Sequence, residues 1–134
     1  MVETKKIVLD TNFLMIPAQF GLDITEEIDR IANFPYKLLI FDKSLEELSN
    51  VVKKQKGADK EAARTTKILV HELVNNNKLN IIPAKTAYID QEILDFADKD
   101  TIVATQDVAL RSRLKKRGIK TIIMRQKKHL LIEG

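Results

Sequence analysis

The chain has 134 residues, 44% of them hydrophobic and 31% charged, enough to bury one core and too apolar for a disordered or collagen-like polymer. It contains no Cys and only two His, His71 and His129, which excludes a disulfide framework, a thiolate zinc site and an imidazole-rich metal centre; any metal must be held by oxygen. The formal net charge of +4 conceals segregation, because Val108 to Ile132 carries nine Lys or Arg and no acid, leaving 14 basic against 19 acidic residues, a net of −5, elsewhere.

In chain order, the first element is a short buried strand, Ile7-Val8-Leu9, reached directly from Met1-Val2-Glu3-Thr4-Lys5-Lys6. A helix over Ile24 to Ala32 opens at Asp23 or Thr25, and a second strand follows at Leu38-Leu39-Ile40-Phe41. The next helix, Leu45 to Lys54, has Ser44 three residues before Glu47, the pattern of a capping box, and Gly57 ends it. Asp59 starts a longer helix with an apolar stripe of Leu69, Val70, Leu73 and Val74 that stops at Asn75-Asn76-Asn77. A strand at Leu79 to Ile82, a helix from Ile89 to Asp98 and a strand at Thr101 to Ala104 come next. Asp107 caps a helix from Val108 to Arg117 that Gly118 stops, and Thr121 to Met124 forms the last strand.

The strands are continuous rather than alternating and are separated by amphipathic helices, the signature of a parallel sheet covered on both faces. The expectation is an α/β chain with one domain over residues 1–134, there being no linker or repeat to divide it. No apolar run approaches the ~20 residues a membrane helix needs and no leader-like block is present, so the expected address is the cytoplasm, with no membrane partner.

In such a sheet ligands gather beyond the carboxyl ends of the strands. Asp10 follows the first strand immediately, and Asp107 follows Thr101 to Ala104 after Thr105-Gln106. Glu47 lies in the first turn of the helix after Leu38 to Phe41, and Asp90 begins the helix that leads into Thr101 to Ala104. Clustered carboxylates suit Mg²⁺ or Mn²⁺, which activate water and neutralise charge during phosphodiester hydrolysis, and Asn12 and Thr105 are suitable polar neighbours. Each acid also has an ordinary reading. Glu47 fits the return half of a capping box with Ser44, Asp90 and Asp107 fit helix N-caps, and Asp10 fits a turn; their joint placement favours a site.

These residues resemble a known family. Ile7-Val8-Leu9-Asp10-Thr11-Asn12, Leu45-Glu46-Glu47-Leu48, Asp90 ahead of Ile93 and Ala97, and Ile102-Val103-Ala104-Thr105-Gln106-Asp107 are similar to the successive acidic motifs of PIN domain nucleases, over nearly the whole chain. The resemblance implies a three-layer α/β/α sandwich with a parallel sheet of about five strands in the order 3-2-1-4-5, often dimeric. It also implies Mg²⁺ or Mn²⁺ held by Asp10, Glu47, Asp90 and Asp107 with Asn12 and Thr105 supporting, and endonucleolytic cleavage of RNA to a 5′-phosphate and a 3′-hydroxyl. Glu92, Asp95, Asp98 and Asp100 stand close enough to Asp90 to compete for the third position. Val103 to Asp107, Leu110-Arg111, Gly118 to Met124 and the basic Arg125-Gln126-Lys127-Lys128 are most similar to archaeal relatives of the PIN proteins that process small-subunit ribosomal RNA.

Arg111, Arg113, Lys115, Lys116 and Arg117 crowd the helix that Asp107 would cap, and Arg125, Lys127 and Lys128 follow the last strand, a disposition expected to hold RNA phosphates. Aromatics are scarce at 5%, so Tyr36 and Tyr88 are read as packing residues and recognition is expected to follow backbone and shape. The alternatives are a VapC-type toxin with a cognate antitoxin and, from another class, a non-catalytic RNA-binding scaffold. A nucleotide-binding Rossmann protein is disfavoured, because none of the four glycines forms a phosphate-cradling loop after the first strand.

Overall fold

The computed structural model describes residues 3–134. Its elements are β1 (Lys5–Leu9), α1 (Thr11–Leu14), α2 (Ile16–Phe20), α3 (Ile24–Ile31), β2 (Tyr36–Phe41), α4 (Asp42–Lys54), α5 (Ala58–Asn75), β3 (Asn80–Ile82), α6 (Ile89–Phe96), β4 (Thr101–Ala104), α7 (Val108–Lys116), β5 (Lys120–Arg125) and β6 (His129–Glu133). The strands form one sheet in the order β3-β2-β1-β4-β5-β6; β1 to β5 are parallel, and β6 returns antiparallel to β5.

The continuous apolar runs resolve into two alternating faces, because successive side chains of a strand point to opposite sides. Ile7, Leu9, Leu38, Ile40, Ile102 and Ala104 belong to one buried cluster, completed by Phe13 and Ile16 and by Ile24, Ile28, Val70 and Leu73 of α3 and α5. Val8, Leu39, Phe41 and Val103 belong to the other, completed by Ile89, Ile93 and Leu94 of α6 and Leu110 and Leu114 of α7. The result is the expected α/β/α sandwich, and the five-strand order 3-2-1-4-5 is present with a sixth strand added at the β5 edge.

Three local departures from the sequence reading have physical causes. Helices α1 and α2 are too short to show an amphipathic period; Pro17 opens α2, and Gly21, in the left-handed region at φ 69°, closes it. Helix α4 starts at Asp42 with Phe41 as its N-cap, so Ser44 lies inside the helix and the capping-box reading of Ser44 with Glu47 does not hold. Strand β6 is missed because its hairpin lacks the usual turn residues: Gln126 and Lys127 occupy consecutive left-handed positions at φ 55° and 57°, a conformation that usually selects Asn or Gly.

The outer edge of β6 is sealed by α3. The Leu130 N–H donates to Glu27 Oε1 at 2.9 Å, the Arg30 guanidinium donates to the Leu130 carbonyl at 3.1 Å, and Arg30 and Glu27 pair with each other. Edge backbone groups that would otherwise invite another strand are thus occupied by charged side chains. Among the described residues no helix is long and apolar enough to cross a membrane.

Candidate active site

Because β1 and β4 are parallel neighbours, the residues that follow them emerge at the same edge of the sheet. Asp10 extends β1 by one residue, its N–H donating to the Ala104 carbonyl at 2.9 Å. Its side chain is only 6% exposed and both oxygens are engaged: Oδ1 accepts from the Thr11 N–H at 2.9 Å and Oδ2 from the Thr105 hydroxyl at 2.7 Å. Thr105, fully buried, also accepts from the Asp107 N–H at 3.0 Å, so one hydroxyl links the turn after β1 to the turn after β4. Gln106 adds a second link, its Nε2 donating to the Asn12 carbonyl at 2.9 Å and its N–H to Asn12 Oδ1 at 3.3 Å.

The other acids come from three helices. Asp107 caps α7, Oδ1 accepting from the Leu110 N–H at 3.1 Å. Asp90 sits in the first turn of α6 without capping it, since Tyr88 holds the N-cap position. Glu47 projects from α4, where its Oε1 lies 2.7 Å from the Thr11 hydroxyl; that hydroxyl is also 2.8 Å from Ser44 Oγ. With one proton to give, Thr11 donates to the carboxylate and accepts from Ser44. Asp10, Glu47, Asp90 and Asp107 all line one cleft of about 460 Å³, with Thr11, Asn12, Met15 and Tyr88 among its other walls.

Electrostatics in the cleft are those of crowded acids. Burial pushes the Asp10 carboxyl up to about 6, against the hydrogen bonds from Thr105 and Thr11, and the charges of Asp90 and Glu47 add to the rise. Burial also raises the Asp90 carboxyl, the Asp107 charge raises it further, and Arg113 opposes both. Among the described residues lining the cleft there is no Lys or Arg to neutralise these groups. A hard cation is therefore the chemical complement of the site. Among the described residues no three acids lie close enough together to hold one metal ion between them.

Of the acids that compete with Asp90 in the sequence, none lines the cleft. Glu92 is 6% exposed and grips the loop before α6, accepting from the Lys85 and Thr86 amides. Asp95 accepts from Gln91, Asp98 pairs with Lys6 and Asp100 with Lys5. Asn12 lies on the cleft wall, and Thr105 lies beneath it, donating to Asp10. Thr11 and Gln106 lie inside the acidic motifs without being singled out by them, and Ser44, which the sequence offers only as a capping partner of Glu47, instead bonds to Thr11.

The eight basic residues do not form one patch. Arg113 acts on Asp90 and so lies near the cleft, whereas Arg111 and Lys115 line a separate depression with Thr121 and Glu133. Arg117 donates to the Leu94 and Ala97 carbonyls at the end of α6, and Lys116 is exposed at the last turn of α7, about 14 Å of helix rise from Asp107. Arg125, Lys127 and Lys128 sit at the β5–β6 hairpin. Ile122 pairs with Ala104, so Arg125 stands three residues beyond, about 10 Å further along the direction in which Asp10 and Asp107 emerge. The packing role expected for Tyr36 holds, its hydroxyl donating to Asp29 at 3.1 Å; that expected for Tyr88 does not, for its side chain is 75% exposed at the cleft.

A parallel α/β sandwich that gathers four carboxylates from separate elements at one sheet edge defines the class to which this molecule is to be compared. The chain belongs to the PIN-like domain family, whose pattern matches residues 7–127. It is 33% identical to Ribonuclease VapC4 of Methanocaldococcus jannaschii over 133 residues, covering 96% of this chain and 97% of that protein. The PIN domain endonuclease Utp24 shares the fold with a TM-score of 0.67 at 22% identity, over 96% of this chain and 90% of that one. VapBC2 from Rickettsia felis, solved bound to a DNA fragment from its promoter, matches with a TM-score of 0.50 at 18% identity, over 90% of this chain and 99% of that one.

Proposed function

We propose that this chain is a divalent-metal-dependent endoribonuclease, a single domain over residues 1–134, that hydrolyses RNA phosphodiester bonds in the cytoplasm during ribosomal RNA processing. The observation that carries the reading is the gathering of Asp10, Glu47, Asp90 and Asp107 from four elements around one cleft with no basic residue among its described walls. Mg²⁺ or Mn²⁺ bound there supplies a nucleophilic water at neutral pH and neutralises charge on the attacking and leaving oxygens.

The protein's own part is orientation. Thr105 and the Thr11 amide fix both oxygens of Asp10, the Thr11 hydroxyl steadies Glu47, and the first turn of α7 fixes Asp107. Such support holds carboxylates in place before the cation and substrate arrive, so less reorganisation is needed on binding. Arg113 near the cleft and Arg125, Lys127 and Lys128 at the hairpin supply phosphate contacts. The identity to a protein named a ribonuclease, across nearly the full length of both, supports RNA as the substrate.

The test is incubation of purified protein with structured and unstructured RNA in Mn²⁺, Mg²⁺ and EDTA. Wild type cleaves internally in the presence of a cation and not in EDTA, and Asp10→Asn abolishes cleavage while retaining RNA binding. Cleavage undiminished in EDTA or in Asp10→Asn refutes the proposal, and binding without cleavage in any cation favours a non-catalytic scaffold.

The same identity to VapC4 favours a second reading, a toxin ribonuclease with a cognate antitoxin. The chemistry is then unchanged and the target differs. Growth arrest on expression, relieved by a small protein encoded beside it, selects the toxin; co-sedimentation with small-subunit precursors selects processing.

A further inference from the structure

Tyr88 occupies an unusual position for an aromatic residue in a chain that has so few. It is 75% exposed, yet it lines the same cleft as the four acids and is the only aromatic residue among that cleft's described walls. An exposed ring at a polar, acidic wall gains nothing from packing, so the ordinary reason for an aromatic side chain is missing there.

The backbone that carries the ring is fixed on both sides. The Tyr88 N–H donates to Thr86 Oγ1 at 3.2 Å, and its carbonyl accepts from the Glu92 N–H at 3.0 Å as the N-cap of α6. Glu92, buried beneath, accepts from the Lys85 and Thr86 amides and ties the preceding loop to the helix. A loop held this firmly presents its side chain from a preset position, which lowers the ordering cost when a partner docks. Two residues further on stands Asp90, so the ring lies beside the acids while pointing to solvent.

Resting on the ribonuclease reading, we infer that Tyr88 is a stacking platform for one nucleobase adjacent to the scissile phosphate, positioning a single-stranded RNA across the acidic cleft. Every base has a π-face, so a lone aromatic platform accepts any sequence while demanding an unpaired base. The carboxylates repel the phosphate backbone until cations neutralise them, and a contact directed at a base escapes that repulsion. Tyr88 thereby contributes affinity at the position where charge contributes least, and selects unpaired over paired substrate.

The experiment measures binding of a short single-stranded RNA in EDTA, where no cutting occurs, alongside cleavage in Mn²⁺. Tyr88→Ala weakens binding and raises KM by about ten-fold with little change in kcat, and Tyr88→Phe and Tyr88→Trp retain both. Replacing each nucleotide in turn by an abasic one locates one position at which the loss equals that of Tyr88→Ala and does not add to it, a coupling that a merely structural role would not produce. The chain has two Tyr and no Trp, so quenching of tyrosine emission by the stacked base vanishes in Tyr88→Phe while affinity stays. Unchanged affinity in Tyr88→Ala, or additive losses at every abasic position, overturns the platform. RNA binding that depends on Tyr88 without cleavage in any cation overturns the nuclease reading and leaves the platform standing, and absence of RNA binding overturns both.

Discussion

Asp10 concentrates electrostatic cost in a single buried residue. Its carboxyl, raised by burial to about 6, holds a proton more tightly in the folded chain than in the unfolded one, where an ordinary value near 3.8 applies. The sign follows from linkage: the stabilising proton is fully bound at pH below 3.8 and is lost as pH rises through 6, so the ionised carboxylate costs stability at neutral pH. Asp10→Asn, which does not ionise, is therefore expected to stabilise the metal-free protein by about 3 kcal/mol at pH 7.5, at about 1.4 kcal/mol per tenfold change in proton affinity, and by well under 1 kcal/mol at pH 4. Calorimetry in EDTA at the two pH values checks this. Mn²⁺ should raise the wild-type Tm at pH 7.5 far more than at pH 5 and leave Asp10→Asn unmoved, whereas an Asn variant less stable than wild type at pH 7.5 contradicts the account. Asp10 is legible in the sequence because an acid directly after a continuous buried run serves no helix period. Tyr88 is not, because the exposure of a loop side chain depends on how distant elements cover it, and no local pattern records that.

At the scale of elements, strands with two covered faces leave the strongest mark. Ile7 to Leu9, Leu38 to Phe41 and Thr101 to Ala104 are apolar without interruption because each contributes to both clusters, and that alone announces a parallel sheet. Edge elements leave little. Strand β6 needs only Leu130 fully buried, and its hairpin turns on Gln126 and Lys127 in left-handed positions, so neither hydrophobic period nor turn chemistry betrays it. Glu47 shows the opposite failure, a local pattern that suggests a cap while the helix starts two residues before Ser44 and frees the carboxylate for the cleft. A non-glycine residue in the left-handed region carries a cost of about 1 kcal/mol. Gln126→Gly should recover about that much, seen as a higher urea midpoint with an unchanged slope. A lower urea midpoint in the variant contradicts that cost.

For the molecule as a whole, the segregated charge of the sequence becomes a spatial division that the one-dimensional reading does not resolve. Helix α7 begins at the carboxyl edge of the sheet and runs away from it, so its last basic residues end far from the acids, and Arg117 is spent on the carbonyls that end α6. The hairpin after β5 instead projects beyond the edge from which Asp10 and Asp107 emerge. On the proposed reading, an RNA strand crossing the cleft would meet Arg113, Arg125, Lys127 and Lys128, and each phosphate contact on a single strand contributes roughly −0.7 to the slope of log affinity against log salt. Four contacts give a slope near −3, or about fifty-fold weaker binding for a fourfold rise in salt. Replacing Arg125, Lys127 and Lys128 by Gln should reduce that slope by about 2, whereas replacing Lys115 and Lys116 by Gln should leave it nearly unchanged, although the second pair lies closer in sequence to Asp107. Titration of a short RNA in EDTA from low to moderate KCl measures both. Equal slopes for the two variants would mean that the field of the whole protein, rather than the strand's path over the hairpin, governs its hold on RNA.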